Sequence, residues 1–178
     1  MSKQSITTAK ATAIKRILAF VYDLFLIIPL MMLAALIWLP FNNGVAIEPG
    51  NPLYPFMIST TAILTPILFY TYFWYKGGQT LGMRSWKLRI VNLSGTPLSS
   101  KQSATRAVLL ILSLTLIAVG FNTAFALNFT VQAIIPLGLA LISLFGMCQT
   151  FTKRRTSLVD LLTQTRIVQL PKVEKPKK

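Results

Sequence analysis

Four long apolar stretches dominate the pattern of hydrophobic and polar positions along this chain. They run from about residue 17 to 39, 53 to 75, 107 to 127 and 129 to 151, and Asp23 is the one charged residue inside them. About 20 apolar residues are needed to carry a helix across the hydrocarbon core of a bilayer. The pattern therefore predicts an all-α membrane protein built on a bundle of four transmembrane helices.

The third and fourth stretches are separated only by a short polar turn around Asn128. A turn of this length predicts a tight hairpin of two helices. One long bent helix followed by a shorter one fits the same composition, because Asn122 and Asn128 can cap helix ends or lie just outside the membrane. The sequence leaves both arrangements open.

The basic residues are segregated along the chain. Of the 18 lysines and arginines, four precede the first stretch, six lie between the second and third, and eight follow the fourth. Because cytoplasmic segments are enriched in Lys and Arg, the N-terminus, the segment 76–106 and the C-terminus are predicted to be cytoplasmic. A cleaved signal peptide explains the first stretch less well, because its 23 residues exceed the roughly 7 to 15 of a signal core.

Composition supports a membrane protein and argues against other classes. Of 178 residues, 53% are hydrophobic and 12% are charged, too few charges for an ordinary soluble domain. A net charge of +14 taken alone suggests a nucleic-acid partner. Topology and contact with anionic lipid headgroups explain the basic residues instead, so no nucleic-acid partner is predicted.

Residues that carry enzyme chemistry are scarce. The chain has no histidine, and its one cysteine, Cys148, lies in an apolar stretch and has no partner for a disulfide. Paired carboxylates and a placed nucleophile are also missing. The sequence therefore predicts no catalytic site, no metal and no cofactor.

The segments outside the apolar stretches contain short structural signals. Alternation over residues 86 to 92, followed by a turn at 94 to 97, predicts a short cytoplasmic β-hairpin. Residues 157 to 162 predict an interfacial helix and residues 165 to 170 a strand. We expect the alternating segments before the turn and at the C-terminal end to form a small cytoplasmic sheet.

The chain divides into a membrane domain, residues 1–170, and a short tail. The tail, residues 171–178, is rich in lysine and proline, and this composition predicts a disordered segment that touches anionic headgroups.

Asp23 is the residue that most needs an explanation, because an ionisable side chain inside a span requires a partner or a water-filled cavity. Arg16 lies on the same helical face about 10 Å away along the axis, and Arg84 and Arg106 also lie near the same boundary. We expect Arg16, Arg106, Asp23 and Asp160 to form one charge cluster, with Asp23 deepest. Such a cluster either ties helices together or binds a proton, a cation or a cationic solute.

Three segments stand out when these residues are taken together. The first contains Arg16 and, about two turns later, Asp23; the third, residues 157 to 168, contains Asp160. The second is a glycine-rich stretch before the third span, with Gly78, Thr80, Gly82 and Arg84, followed by Gly95 and Arg106.

These segments resemble the RDD family of bacterial integral membrane proteins, which is named for one arginine and two aspartates. The resemblance covers residues 10 to 170 and identifies Arg16, Asp23 and Asp160 with the three name-giving positions. Thr163 and Gln164 depart from it, because the family often has a small residue there. The resemblance implies a multi-pass protein of the bacterial inner membrane, for which transport has been proposed.

Two functional hypotheses follow. The first is a small transporter or transporter subunit, cation- or proton-coupled through Asp23; four helices make a thin pathway, so this hypothesis predicts a homo-oligomer. The second is a scaffold or accessory protein that recruits a partner through its cytoplasmic segments, in which Arg16, Asp23 and Asp160 are structural. The sequence names no solute.

Overall fold

The computed structural model describes residues 10–151 and 156–171. In chain order its elements are helix α1 (Ala13–Leu36), helix α2 (Tyr54–Ile58), a π-helical turn (Ser59–Leu64), helix α3 (Thr65–Gly77), helix α4 (Leu81–Ser85), strand β1 (Leu88–Asn92), helix α5 (Ser100–Ala126), helix α6 (Ile134–Cys148), helix α7 (Leu158–Leu162) and strand β2 (Thr165–Gln169). The predicted all-α membrane fold with a small β element is confirmed.

Four helical segments are long and apolar enough to cross a membrane. They are Ala13–Leu36, Tyr54–Gly77, Ser100–Ala126 and Val131–Phe151, and we refer to them as the first to fourth spans. Large apolar side chains cover their outer surface; Phe25 is 74% exposed, Val131 81% and Ile135 76%. A surface of this kind suits hydrocarbon rather than water.

The second span changes its helical winding near its middle. The π-helical turn lies just before Pro66, which has no N–H to donate and disturbs regular α-helical bonding. Thr61 and Thr65 donate their hydroxyl groups to carbonyls of the same span, those of Met57 and Thr60. These hydroxyls therefore bond to backbone carbonyls of their own span rather than link helices. Thr60 differs, because its hydroxyl oxygen accepts a hydrogen bond from Nε1 of Trp38 in the first loop.

The spans pack in chain order, the first on the second, the second on the third and the third on the fourth. After Ala126 the chain turns through Asn128 and Phe129, whose φ angles of 46° and 56° are left-handed, and the fourth span returns along the third. The predicted hairpin is therefore confirmed over the long bent helix. Gly120 allows the close approach, since a Cβ there would collide with the carbonyl oxygen of Pro136 and with Ala140.

A two-stranded antiparallel sheet lies at the end of the bundle where α1 begins, and we call this the sheet end. Strand β1 pairs with β2, with Ile90 opposite Ile167, and the N–H of Ala11 donates to the carbonyl of Ile167 at 3.1 Å. The predicted pairing of the two alternating segments is confirmed. The strands are not joined by a local turn, however, because the third and fourth spans lie between them in sequence.

The short helix α7 lies where an interfacial helix was predicted, and β2 follows it as expected. The basic residues 153 to 155 and most of the predicted disordered tail fall outside the described residues.

Candidate functional site

Three of the four predicted charged residues meet at the sheet end. Arg16 Nη1 lies 2.6 Å from Asp160 Oδ2, and Arg106 Nη2 lies 2.5 Å from Asp160 Oδ1. We call Arg16, Arg106 and Asp160 the arginine–aspartate cluster. It joins the start of the first span, the start of the third span and helix α7.

Asp160 is held in place by its own helix as well as by the arginines. Its backbone N–H donates to the hydroxyl of Ser157, and its carboxylate accepts from the N–H of Ser157, both at 3.1 Å, in a reciprocal capping box at the start of α7. Burial of Asp160 opposes its ionisation, but the guanidinium groups of Arg106 and Arg16 outweigh that effect and lower the pKa of the carboxyl below its ordinary value. The carboxylate is therefore ionised across the physiological range.

Arg106 makes further contacts that fix its guanidinium. Nη1 donates to the hydroxyls of Thr163, at 3.3 Å, and of Thr165. The guanidinium carbon lies 5.3 Å from the ring centre of Trp74, a cation–π contact with the second span. Arg106 thus connects three elements while it remains only 4% exposed.

Asp23 is not part of this cluster. Its Oδ2 accepts from the hydroxyl of Thr80 at 2.7 Å, and its Oδ1 accepts from the N–H of Gly82 at 2.9 Å. Within the described residues neither Arg16 nor Arg106 forms an ion pair with it, so the expectation that an arginine pairs with Asp23 is wrong. Two neutral donors fold back from the chain after the second span and stabilise this buried carboxylate instead.

The glycine-rich segment explains this arrangement. Gly78 has a φ of +66° where the second span ends, and a Cβ on Gly82 would collide with the carbonyl oxygen of Ala19. Thr80 is the N-cap of α4, since its hydroxyl accepts from the N–H of Met83 at 3.1 Å. Arg84 was one of the partners considered for Asp23 from the sequence. It is exposed on the same helix and does not reach Asp23.

A cavity of about 470 Å³ lies beside both groups of residues. All four spans contribute to its lining, and so do β1, β2 and α7. It borders Asp23, Arg16 and Arg106, while most of the remaining lining is aliphatic or aromatic. A pocket of roughly 300 to 1,000 Å³ with apolar walls and a few convergent polar groups is typical of a small-molecule site.

The sequence signals found the charged residues but missed their partners. Thr163 was noted only as a departure from the family pattern, and neither it nor Thr165 or Trp74 was predicted to contact Arg106. Thr80 and Gly82 were recognised only as a motif, separate from Asp23. Within residues 10–151 and 156–171, no three Cys, Asp or Glu side chains come together to hold a metal ion.

Comparisons with known proteins show the family to which the chain belongs. No curated protein and no solved structure matches the chain significantly. The sequence profile of the RDD family matches residues 10–164, a range that includes Arg16, Asp23, Arg106, Asp160 and the glycine-rich segment. Because the match covers most of the chain, this protein belongs to the RDD family.

Proposed function

We propose that this protein is a small transporter, or the subunit of one, whose solute site is the cavity at the sheet end. The observation that carries the proposal is the cavity itself, which draws its lining from all four spans and borders an intramembrane carboxylate. A cavity of this kind fits an alternating-access site better than a packing defect, because apolar cores are normally filled. The proposed role is non-enzymatic.

Asp23 is the proposed coupling residue. It is 2% exposed and lies within the first span, where a carboxylate is costly unless it serves structure or function. Each of its oxygens accepts one hydrogen bond, which leaves a lone pair on each oxygen able to bind a proton or a cation. Its position beside the cavity would link such binding to occupation by solute.

The proposal also includes location and assembly. The described basic residues Arg16, Arg84, Arg89 and Arg166 lie at the sheet end or in the segments joined to it, which supports a cytoplasmic sheet end in a bacterial inner membrane. The lysines and arginines there would contact anionic headgroups. A bundle of four spans encloses little volume, so we propose a homo-oligomer as the working unit.

Reconstitution into liposomes tests the coupling. With pH- and cation-sensitive dyes inside the vesicles, the native chain should move an ion gradient, and Asp23→Asn should abolish this flux while its unfolding temperature in detergent stays close to native. Glu48→Gln is the matched control, since Glu48 is an exposed carboxylate in the loop at the other end of the bundle. Full flux through Asp23→Asn would exclude Asp23 as the coupling group.

A second candidate is an accessory protein without transport. It is favoured by one observation, namely that Asp23 and Asp160 both accept hydrogen bonds from structural donors. In that case Asp23→Asn should lower stability and no ion should move under any condition. The loss on substituting Asp160→Asn should be partly recovered when Arg16→Gln is added, because the second substitution removes one of the two guanidinium groups that faced the lost carboxylate.

A further inference from the structure

Three hydrogen-bond donors at the sheet end of the cavity have no acceptor among the described residues. Tyr70, Trp74 and Arg106 all line it, and they are only 3%, 4% and 4% exposed. The hydroxyl of Tyr70, Nε1 of Trp74 and Nε of Arg106 are buried and have no hydrogen-bond partner among the described residues. Buried polar groups are normally satisfied, so these donors indicate a missing acceptor.

A charged donor at this end favours an anionic acceptor. Nε of Arg106 belongs to a guanidinium group and has no hydrogen-bond partner among the described residues, although Nη2 of the same side chain is paired with Asp160. Asp23 directs both carboxylate oxygens to donors of the segment that begins at Thr80. An acceptor-rich anionic group is the complement of such a site.

The lining of the cavity becomes apolar with distance from the sheet end. Arg106 stands near the start of α5, and Leu110, Leu114 and Ile117 line the cavity farther along the same helix. From Arg106 to Ile117 the rise is about 16 Å, which matches part of an acyl chain. Ile17 and Leu144 extend the apolar wall from the first and fourth spans.

The first and fourth spans both border the cavity without packing closely on each other in the part of the chain described. The first packs on the second span and α4, whereas the fourth packs on the third. A molecule dissolved in the bilayer would therefore meet the cavity between the first and fourth spans, where no extensive helix contact has to be broken.

The geometry points to an amphipathic acid as the ligand of this cavity. Its anionic head, a carboxylate or a phosphate, accepts hydrogen bonds from Arg106, Tyr70 and Trp74, and its apolar tail lies along Leu110, Leu114 and Ile117. This inference rests on the proposed function, because it names the chemical class of the solute that the cavity takes. The head can belong to a membrane lipid or to a free fatty acid.

Trp74 provides a reporter for the test. In a chain with Trp38→Phe and Trp86→Phe, Trp74 is the remaining tryptophan, and bromine atoms on an acyl chain quench tryptophan fluorescence at contact. Vesicles of unbrominated phosphatidylcholine containing the protein are titrated with dibrominated phosphatidate, dibrominated stearate or dibrominated phosphatidylcholine. We expect saturable quenching by an acidic amphiphile at a few mole per cent, reversed by its unbrominated form.

The variants separate the head from the tail. Tyr70→Phe removes one unpartnered hydroxyl and should raise the half-saturating mole fraction about tenfold, the effect of one hydrogen bond to a charged group. Tyr72→Phe makes the same change at an exposed tyrosine of the same helix and should leave binding unaltered. Leu114→Phe should reduce the maximal quenching by filling the apolar wall. These variants keep the test valid if Arg106→Gln fails to fold.

Each outcome decides the inference. Saturation by phosphatidate alone identifies a lipid source, and saturation by stearate identifies a fatty acid; either supports the inferred class. If quenching rises linearly with mole fraction, and does so equally for the brominated acids and for brominated phosphatidylcholine, it reflects ordinary lipid contact. That result overturns the inferred ligand class. Binding is measured here without flux, so binding without ion movement would reject transport alone, and ion movement without binding would reject the amphipathic acid alone.

Discussion

At the scale of single residues, the chain stabilises its two buried carboxylates in different ways. Asp160 is paired with two guanidinium groups, whereas Asp23 accepts hydrogen bonds from a hydroxyl and a backbone N–H. Both solutions offset the cost of removing a charge from water. They differ in what happens when the carboxylate is lost, because only Asp160 leaves buried positive charge behind.

Replacement of Asp160 by Asn should be strongly destabilising. Arg106 and Arg16 would keep their charges in a site where their side chains are 5% and 11% exposed. Loss of one partner from a buried ion pair costs about 3 to 5 kcal/mol. Thermal unfolding in a mild detergent measures this effect, and Glu48→Gln, which removes an exposed carboxylate, should be close to native.

The ionisation of Asp160 also predicts how the stability of the protein depends on pH. Asp160 has a folded pKa below its ordinary value of 3.8, so its contribution is complete above that value and is lost as pH falls through the folded pKa. The difference in stability between the native chain and Asp160→Asn should therefore begin to shrink as the pH falls below about 4. A constant difference between the two chains down to pH 2 would contradict the assignment.

Gly82 should not tolerate a methyl group. A Cβ there would collide with the carbonyl oxygen of Ala19 and come within 2.9 Å of Asp23 Oδ1, so Gly82→Ala should destabilise the protein by about 1 to 3 kcal/mol. Gly77→Ala is the matched control, because nothing lies within 4 Å of its Cβ position. An equal loss of stability in both variants would contradict this explanation, because Gly77 has no close neighbour and alanine itself favours helix over glycine.

The sequence predicted the arginine–aspartate cluster but not the partners of Asp23. Solvation cost alone indicates that buried charges of opposite sign converge, and Arg16, Arg106 and Asp160 do so. The spacing of Arg16 and Asp23 along one helix also suggested a pair. That inference could not include the return of the glycine-rich segment, because a left-handed turn at Gly78 and a close approach at Gly82 are properties of the folded chain.

At the scale of elements, hydropathy located the four spans to within a few residues at most ends. The main exception is α5, which begins at Ser100 rather than near 107 because Ser99 and Gln102 form a capping box before the apolar stretch begins. The alternation of apolar and polar residues predicted both strands. Successive side chains of a strand point to opposite faces of the sheet, so this pattern shows that one face is buried but does not depend on which strand is the partner. It could not fix connectivity, which depends on how the spans bring α7 and β2 to the sheet end.

The contact between the third and fourth spans should depend on Gly120. Small residues allow close approach of membrane helices, and a Cβ at Gly120 would collide with the fourth span. We expect Gly120→Ala to lower the unfolding temperature. Gly138→Ala should be neutral or slightly stabilising, since no atom lies within 4 Å of that Cβ position and alanine favours helix by about 1 kcal/mol.

Differential scanning in detergent and in lipid nanodiscs compares the two glycine variants. If Gly138→Ala proved to be the more harmful of the two, the fourth span would have to face the third with its opposite side.

At the scale of the whole molecule, the four spans require the two ends of the bundle to lie on opposite sides of the membrane. A reporter fused after Lys178 and a second inserted near Gly44 should therefore report different compartments, with the C-terminal reporter in the cytoplasm. Cysteine labelling or reporter-enzyme activity in intact cells measures this. Both signals from one side would rule out the four-span topology.

The pairing of β1 with β2 has a consequence for biogenesis. Asp23 can meet Thr80 and Gly82 as soon as the second span has been made, whereas Arg106 must wait for residues 160 to 165, which are translated after the fourth span. A nascent chain that stops after α5 therefore contains an inserted hairpin, an unpaired guanidinium at the membrane boundary and an open strand edge. We expect such a fragment to be recognised by membrane quality-control proteases until residues 160 to 169 supply the carboxylate for Arg106 and the strand that pairs with β1.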